Sequence, residues 1–147
     1  MGKIGTILIA LTSAAGLLGV ASPAEAASAV QIYRVYYDSP GSDTGSNSSL
    51  NAEYVMLKNT GSSSRSLKGW TLRDKSHHVF TFPAVTLKGK KYVTIHTGRG
   101  TRTGTQLYWG SRAYIWNNTG DTAYLRTASG SPADSCSWGR TGSSKYC

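Results

Sequence analysis

The stretch Glu53-Tyr54-Val55-Met56-Leu57-Lys58-Asn59 is the clearest strand in the sequence, and the predicted fold is built outward from it. Val55 and Leu57 point to the same side of an extended backbone, and we expect that side to face the core. Other short stretches are also rich in the β-branched and aromatic residues that suit a pleated surface. With the first, the predicted strands are residues 30–37, 53–58, 70–73, 78–82, 92–97 and 122–126.

Turn signals separate these strands, and no stretch after residue 26 has a convincing helical period. They include Asn59-Thr60-Gly61, Gly98-Arg99-Gly100, Asn118-Thr119-Gly120-Asp121 and Ser129-Gly130. Residues 39–51 are rich in Gly and Ser and are predicted to be a polar loop. Many short strands without helices, in a chain of this length, predict an all-β protein with the architecture of a β-sandwich.

The first 26 residues have the order of a secretory signal peptide: a basic start at Lys3, an apolar run over 4–20, and the small-residue exit Ala24-Glu25-Ala26. We expect cleavage between Ala26 and Ala27. Residues 27–147 would then be a single secreted, extracellular domain with no further membrane span.

The charge of that domain is strongly positive. Lys3 and Glu25 lie in the predicted signal and cancel, so the remainder keeps the formal net charge of +9. Such an excess favours polyanionic partners such as nucleic acid or an anionic cell-wall polymer. A basic surface that serves only solubility is the alternative interpretation.

The two cysteines, Cys136 and Cys147, lie close together at the end of the sequence. In an oxidising exterior they are expected to pair, since no C-x-x-C spacing suggests redox chemistry. The bridge would hold the last residue against a strand-like segment that begins near Ala133.

A series of short motifs carries a family resemblance. In order they are residues 53–59 (EYVMLKN), 69–74 (GWTLRD), 80–83 (FTFP), 87–89 (LKG) leading into 93–95 (VTI), 106–109 (QLYW) and 116–125 (WNNTGDTAYL). The series resembles the lamin-tail domain, the immunoglobulin-like β-sandwich of nuclear lamins that also occurs in secreted bacterial proteins. The resemblance spans roughly residues 30–138.

The resemblance implies a stable extracellular module, related to bacterial domains that look like accessory units. Filament assembly is not implied, because this chain has no heptad rod. The residues at the matching positions are interpreted as structural residues that stabilise the fold. Trp70 is expected to be the largest buried side chain of its strand, beside Gly69, and Ala123 and Leu125 are expected to face inward.

No catalytic motif is present, so we predict a non-enzymatic protein without cofactor or bound metal. There is no G-x-S-x-G elbow and no H-E-x-x-H pair. His77 and His78 are adjacent and would point to opposite faces, so a metal site would need one of them with His96 and a carboxylate. The oxygen-rich segment 38–53 leaves calcium open, although it lacks the EF-hand pattern.

Two basic groups are the candidate polyanion site. Lys88, Lys90 and Lys91 lie on one turn, and Arg99 and Arg102 flank the next loop. The strand between them is expected to place the two groups at opposite ends of the sandwich. A looser third group comprises Arg65, Lys68, Arg73 and Lys75. With no recognition helix and no stacking platform expected on a sheet face, binding should be independent of sequence.

Aromatic residues suggest a second function, glycan or wall-polymer binding. Tyr108, Trp109, Tyr114 and Trp116 lie close together in the sequence. The two tryptophans are expected in the core, which leaves Tyr108 and Tyr114 as candidates for stacking on sugars. A structural or protein-interaction role is the third possibility, and we expect a monomeric or weakly associating chain.

Overall fold

The computed structural model describes residues 28–147, so the predicted signal peptide and its cleavage site lie outside the described residues. These residues form one short helix, α1 (Asn47–Asn51), and eleven strands. The strands are β1 (Val30–Tyr36), β2 (Tyr54–Asn59), β3 (Arg65–Ser66), β4 (Thr71–Arg73), β5 (Val79–Thr81), β6 (Thr86–Leu87), β7 (Tyr92–His96), β8 (Gln106–Tyr108), β9 (Asp121–Arg126), β10 (Pro132–Trp138) and β11 (Ser144–Tyr146). Within this part of the chain, no helix has the length and apolar character needed to cross a membrane.

Two sheets pack against each other, which confirms the predicted sandwich. The larger has the strand order β11-β1-β2-β7-β8 and the smaller the order β10-β9-β4-β5. β3 and β6 form a separate two-stranded ribbon. The pairs are antiparallel except β7 and β8, which run parallel, so the connection over 97–105 must return along the sheet.

The core lies between the two sheets and contains the residues expected there. Val55 and Leu57 on β2 are buried from the five-stranded side, and Ala123 and Leu125 on β9 are buried from the four-stranded side. Burying a side chain of this size stabilises the fold by about 1.5–3 kcal/mol. The two-residue period of these strands therefore defines both inner faces.

The burial of the tryptophans differs in part from the prediction. Trp116, at 2 % exposure, heads the largest fully buried side chains, and its ring meets those of Trp109 and Trp138 edge-on. Trp109 is half-buried and packs against the core. The expectation for Trp70 is wrong: Trp70 lies just before β4 and is only half-buried, so Leu72 is the buried residue of that strand.

The segment 39–51 is not wholly a loop, because α1 occupies its end. Ser46 caps the helix, its hydroxyl accepting a hydrogen bond from the Ser49 amide at 3.2 Å. Leu50 is the helix's one buried residue and holds it against the domain. A single apolar residue in one turn of helix leaves no periodic pattern, which is why the sequence does not reveal the helix.

The predicted disulfide is present between Cys136 and Cys147. Cys136 lies on β10, the edge of the four-stranded sheet, whereas Cys147 directly follows β11, the edge of the five-stranded sheet. The bridge therefore joins the two sheets along one edge. By the chain-entropy model a loop of this size contributes about 3 kcal/mol to stability.

Candidate functional site

The outer surface of the five-stranded sheet carries a continuous set of aromatic and cationic side chains. We call this surface the aromatic face. It comprises Tyr33, Arg34, Tyr36, Tyr54, Lys58, Tyr92, His96, Tyr108 and Tyr146. The sequence does not predict this clustering of rings on one sheet face. These residues come from five strands, and only the strand order and register bring them together.

One cross-strand row runs through Tyr36, Tyr54, His96 and Tyr108, which are opposite one another in register. The rings of Tyr36 and Tyr54 stack with centroids 5.5 Å apart, and those of His96 and Tyr108 stack at 5.1 Å. The Tyr54 and His96 rings, at 6.0 Å, complete the row. Rings this close also stabilise the sheet, because cross-strand aromatic pairs attract one another.

A second group of rings lies at the other end of the same face. Tyr33 meets the rings of Tyr92 and Tyr146 edge-on, with centroids 5.0 and 5.6 Å apart. A bulge between Ile32 and Arg34 shifts the register of β1 at Tyr33. Tyr33 and Tyr146 are 37 % and 59 % exposed, so this is where the face is open to solvent.

Cations lie over these rings. The Arg34 guanidinium carbon is 4.6 Å from the Tyr146 ring centroid and 5.1 Å from that of Tyr36. The Lys58 ammonium is 5.3 Å from the centroid of Tyr92. Among residues 28–147, no lysine or arginine forms a salt bridge with a carboxylate. The positive charge of the aromatic face is therefore not neutralised by neighbouring side chains.

A cleft of about 600 Å³ opens on the same face. Met56, Thr94 and Gln106, which are neighbours in the register of β2, β7 and β8, line the cleft together with Tyr92. Its remaining lining residues are Thr86, Leu87, Lys88, Lys91, Gly104 and Thr105. Two lysines predicted to bind polyanions thus border a cleft that also contains a ring of the aromatic face.

The five predicted basic residues do not form one site. Lys88 and Lys91 line the cleft, whereas Lys90 adopts a left-handed backbone (φ 63°) and its ammonium donates to the Thr60 carbonyl, so it holds the turn. Arg99 lies beyond the opposite end of β7, where its backbone carbonyl accepts hydrogen bonds from both Asn47 and Asn51. Arg102 is exposed on the returning connection over 97–105.

The two predicted glycan-stacking residues have different surroundings. Tyr108 belongs to the aromatic face, and Gly100 lies so close to its ring that a Cβ there would clash with Cε1. The Tyr114 hydroxyl is 2.6 Å from the Ser49 hydroxyl and accepts a hydrogen bond from the Gly45 amide. Tyr114 therefore anchors the segment around α1, and the two tyrosines are not one stacking surface.

Acidic side chains, in contrast, are largely turned inward. Glu53, Asp74 and Asp121 are buried, and each accepts hydrogen bonds from backbone amides. Asp134 and Asp38 are half-buried; they accept from the Ile32 amide and the Asn118 side chain respectively. Carboxylates are thus used to satisfy the backbone, and the surface is more basic than the composition suggests.

Glu53 joins the start of β2 to the segment that leads to β9, at one end of the sandwich. Its Oε1 accepts hydrogen bonds from the Thr97 hydroxyl (2.7 Å) and from the amides of Ile115 (2.8 Å) and Trp116 (3.2 Å). Burial raises the pKa of Glu53 to about 7, although these hydrogen bonds lower it. Its Oε2 is buried without a hydrogen-bond partner. The carboxyl group is therefore a structural acceptor whose ionisation is costly.

No group of three or more His, Cys, Asp or Glu side chains is arranged to hold a metal ion within residues 28–147. The His78 imidazole is 2.7 Å from Asp74. The two ring nitrogens of His96 are each 2.7 Å from an oxygen, those of Asn51 and Gln106. In the segment considered for calcium, Asp38 Oδ1 and Glu53 Oε1 have the hydrogen-bond partners described above.

Comparison with known proteins agrees with the fold. The family model of the lamin tail domain matches residues 23–140, starting inside the segment interpreted as the end of a signal peptide. A search of curated proteins finds no significant match. The matched family is a non-catalytic one with an immunoglobulin-like fold. The match covers most of the sequence, and the chain belongs to the lamin tail domain family.

Proposed function

We propose that the chain is a secreted, non-catalytic module that binds extracellular polyanions, either nucleic acid or an anionic cell-wall polymer. The observation that carries this proposal is the separation of charge. Carboxylates such as those of Glu53 and Asp121 are buried inside the domain. Lys88 and Lys91, in contrast, border an open cleft and form no salt bridge with a carboxylate. A field of one sign over a cleft attracts ligands of the opposite sign.

Secretion is part of the proposal. It is supported by the charged, apolar and small-residue order of residues 1–26 and by the Cys136–Cys147 bridge, which persists in oxidising compartments. N-terminal sequencing of the protein recovered from the culture medium should begin at Ala27. An intracellular protein that retains Met1 would overturn the proposal of secretion.

The binding test is a salt series with duplex DNA and with poly(glycerol phosphate). Affinity should fall steeply as salt rises, because each neutralised phosphate releases counterions. In Lys88→Ala/Lys91→Ala the slope of log K against log salt for duplex DNA should flatten by about 2. Lys68→Ala/Lys75→Ala, which removes the same charge from residues that do not line the cleft, is the matched control and should change the slope less.

Arg99→Ala/Arg102→Ala separates the two basic groups, since Arg99 lies beyond the opposite end of β7. If Arg99→Ala/Arg102→Ala changes the salt slope less than Lys88→Ala/Lys91→Ala does, the ligand binds at the cleft. If all three double variants change the salt slope equally, binding depends on the net charge of the domain and not on the position of the lysines. Absence of binding at low salt would overturn the proposal.

Glycan binding is the second candidate, favoured by the Tyr92 ring that lines the cleft and by Tyr108 on the same sheet. Its signature would be salt-insensitive binding of an uncharged oligosaccharide. A protein-interaction or structural role remains the third candidate.

A further inference from the structure

We propose that the open end of the aromatic face, formed by Tyr33, Tyr92 and Tyr146, is a stacking platform for the bases of single-stranded nucleic acid. The inference rests on the proposed polyanion-binding function and names the ligand class. Its basis is the position of the Tyr33 ring, which contacts those of Tyr92 and Tyr146, beside two cations on one outer sheet surface.

The geometry provides ring surface that a base can reach. Tyr33 and Tyr146 are the most exposed aromatic side chains among residues 28–147. Tyr33 meets both neighbours edge-on, at interplanar angles of 69° and 79°, so these rings do not cover one another's faces by parallel stacking. Bases stack on tyrosine rings regardless of their identity, because every base has a π-face.

The charges provide the phosphate-binding component. Lys58 lies over Tyr92, and Arg34 lies between Tyr146 and Tyr36. Tyr92 also lines the cleft bordered by Lys88 and Lys91, so the rings and the proposed polyanion site are continuous. No Asp or Glu of the described residues lies on this face. Alternating stacking rings and cations are the arrangement by which proteins track a single strand.

Two other ligand types fit this end of the face less well. In a duplex the bases are stacked inside the helix and cannot reach Tyr33 or Tyr146. Binding of an uncharged sugar would leave Arg34 and Lys58 without an anionic partner. The combination of rings and cations therefore favours a ligand that has both rings and negative charge.

The test compares oligo(dA) of about ten nucleotides with an abasic oligonucleotide of the same length and with a duplex, by fluorescence anisotropy of labelled probes. The abasic strand has the phosphates without the bases. We expect oligo(dA) to bind at least about tenfold more tightly than the abasic strand. Equal binding of the two overturns the stacking proposal and leaves polyanion binding standing. No binding of either oligonucleotide also overturns the stacking proposal, and the salt series with poly(glycerol phosphate) then decides polyanion binding.

Ring variants locate the site. Tyr33→Ala and Tyr146→Ala should each weaken oligo(dA) binding about tenfold and leave the abasic strand unaffected. The matched control is Tyr124→Ala, which removes a ring from the outer surface of the other sheet, where it also lies under an arginine. Equal losses in the control and in the two variants would overturn the assignment.

Tyr33→Phe separates stacking from hydrogen bonding, because it keeps the ring and removes the hydroxyl. Stacking predicts nearly wild-type binding of oligo(dA). Loss of binding in Tyr33→Phe, or tight binding of an uncharged oligosaccharide that oligo(dA) cannot displace, would overturn the proposal in favour of a glycan. Thermal unfolding of each variant, followed by circular dichroism, checks that the domain remains folded.

Discussion

The outer surfaces of the two sheets differ sharply although their inner surfaces share one core. The aromatic face carries six tyrosines and His96 on five strands. The outer surface of the four-stranded sheet carries mainly small hydroxyl residues, such as Thr122 and Ser137, whose side-chain oxygens are 2.8 Å apart. Its one tyrosine is Tyr124, with the Arg73 guanidinium carbon 5.4 Å from the ring centroid.

The four-stranded sheet shows that the sandwich does not need a large set of outward rings. Its outer surface has one tyrosine, and the strands still bury Leu72 and Leu125 completely. An aromatic set as large as that of the other sheet adds cross-strand attraction, but it also leaves Tyr33 and Tyr146 facing water. The difference between the faces supports the binding function proposed above, and the Glu53 hydrogen bonds and the disulfide allow the stability of the two sheets to be compared.

The largest effect is expected from Glu53→Ala, which removes the tie between the start of β2 and the segment leading to β9. Three donors lose their common acceptor, those of Thr97, Ile115 and Trp116. At pH 5 the free energy of unfolding should fall by about 4 kcal/mol, since each buried unpaired donor costs about 1–3 kcal/mol. Urea denaturation measures this loss, and a change below about 1 kcal/mol would contradict it.

The pH dependence of the free energy of unfolding tests the same Glu53 hydrogen bonds without a substitution. Because the pKa of Glu53 is raised to about 7 in the folded state, the folded protein binds its proton more tightly than the unfolded chain. The stabilisation is complete below about pH 4.5 and is lost as the pH rises through about 7, by at most about 3 kcal/mol. Glu53→Gln keeps an acceptor without the charge, so its urea profile should be flatter; an unchanged profile would assign the dependence to other groups.

Removal of the disulfide should affect the two faces unequally. In Cys136→Ser/Cys147→Ser the free energy of unfolding should fall by about 2–3 kcal/mol, as measured by urea denaturation. β11, which carries Tyr146, then loses its covalent tie and frays, whereas Tyr124 lies on β9 inside the other sheet. Hydrogen exchange should accelerate in β11 first; uniform acceleration in both sheets would contradict this.

The smallest effect compares single rings on the two faces. Tyr54→Ala interrupts the row of Tyr36, Tyr54 and His96, so it should destabilise the domain by about 1 kcal/mol more than Tyr124→Ala, which has no aromatic neighbour of that kind. Thermal unfolding of the two variants measures the difference. Equal losses would mean that the aromatic row contributes no stability of its own.

Much of the fold could be predicted from the sequence. The alternation in residues 53–59 predicts a strand with Val55 and Leu57 inward, and the motif series predicts the family. Errors occur where a residue's surroundings are set by distant segments. Trp70 lies just before β4 and is half-buried, and α1 is held against the domain by the burial of Leu50.

The candidate site was far less predictable than the core. Charge alone indicates Lys88 and Lys91, and local clustering indicates Tyr108, but neither predicts the aromatic face. A sequence signal did exist: Tyr36, Tyr54 and Tyr92 each neighbour a core residue in a predicted strand and so point outward. The missing information was which strands pair, and in which register.

The sequence by itself determined the strands, the inner faces, the disulfide and the family, because each depends on a period of two residues, on two cysteines or on an ordered series of motifs. Only the tertiary structure decided which outward residues meet. The strand order β11-β1-β2-β7-β8, the bulge near Tyr33 and the parallel pairing of β8 assemble the aromatic face and its cleft. The physical reason is that alternation is local to a strand, whereas the neighbours across a sheet are chosen by long-range pairing.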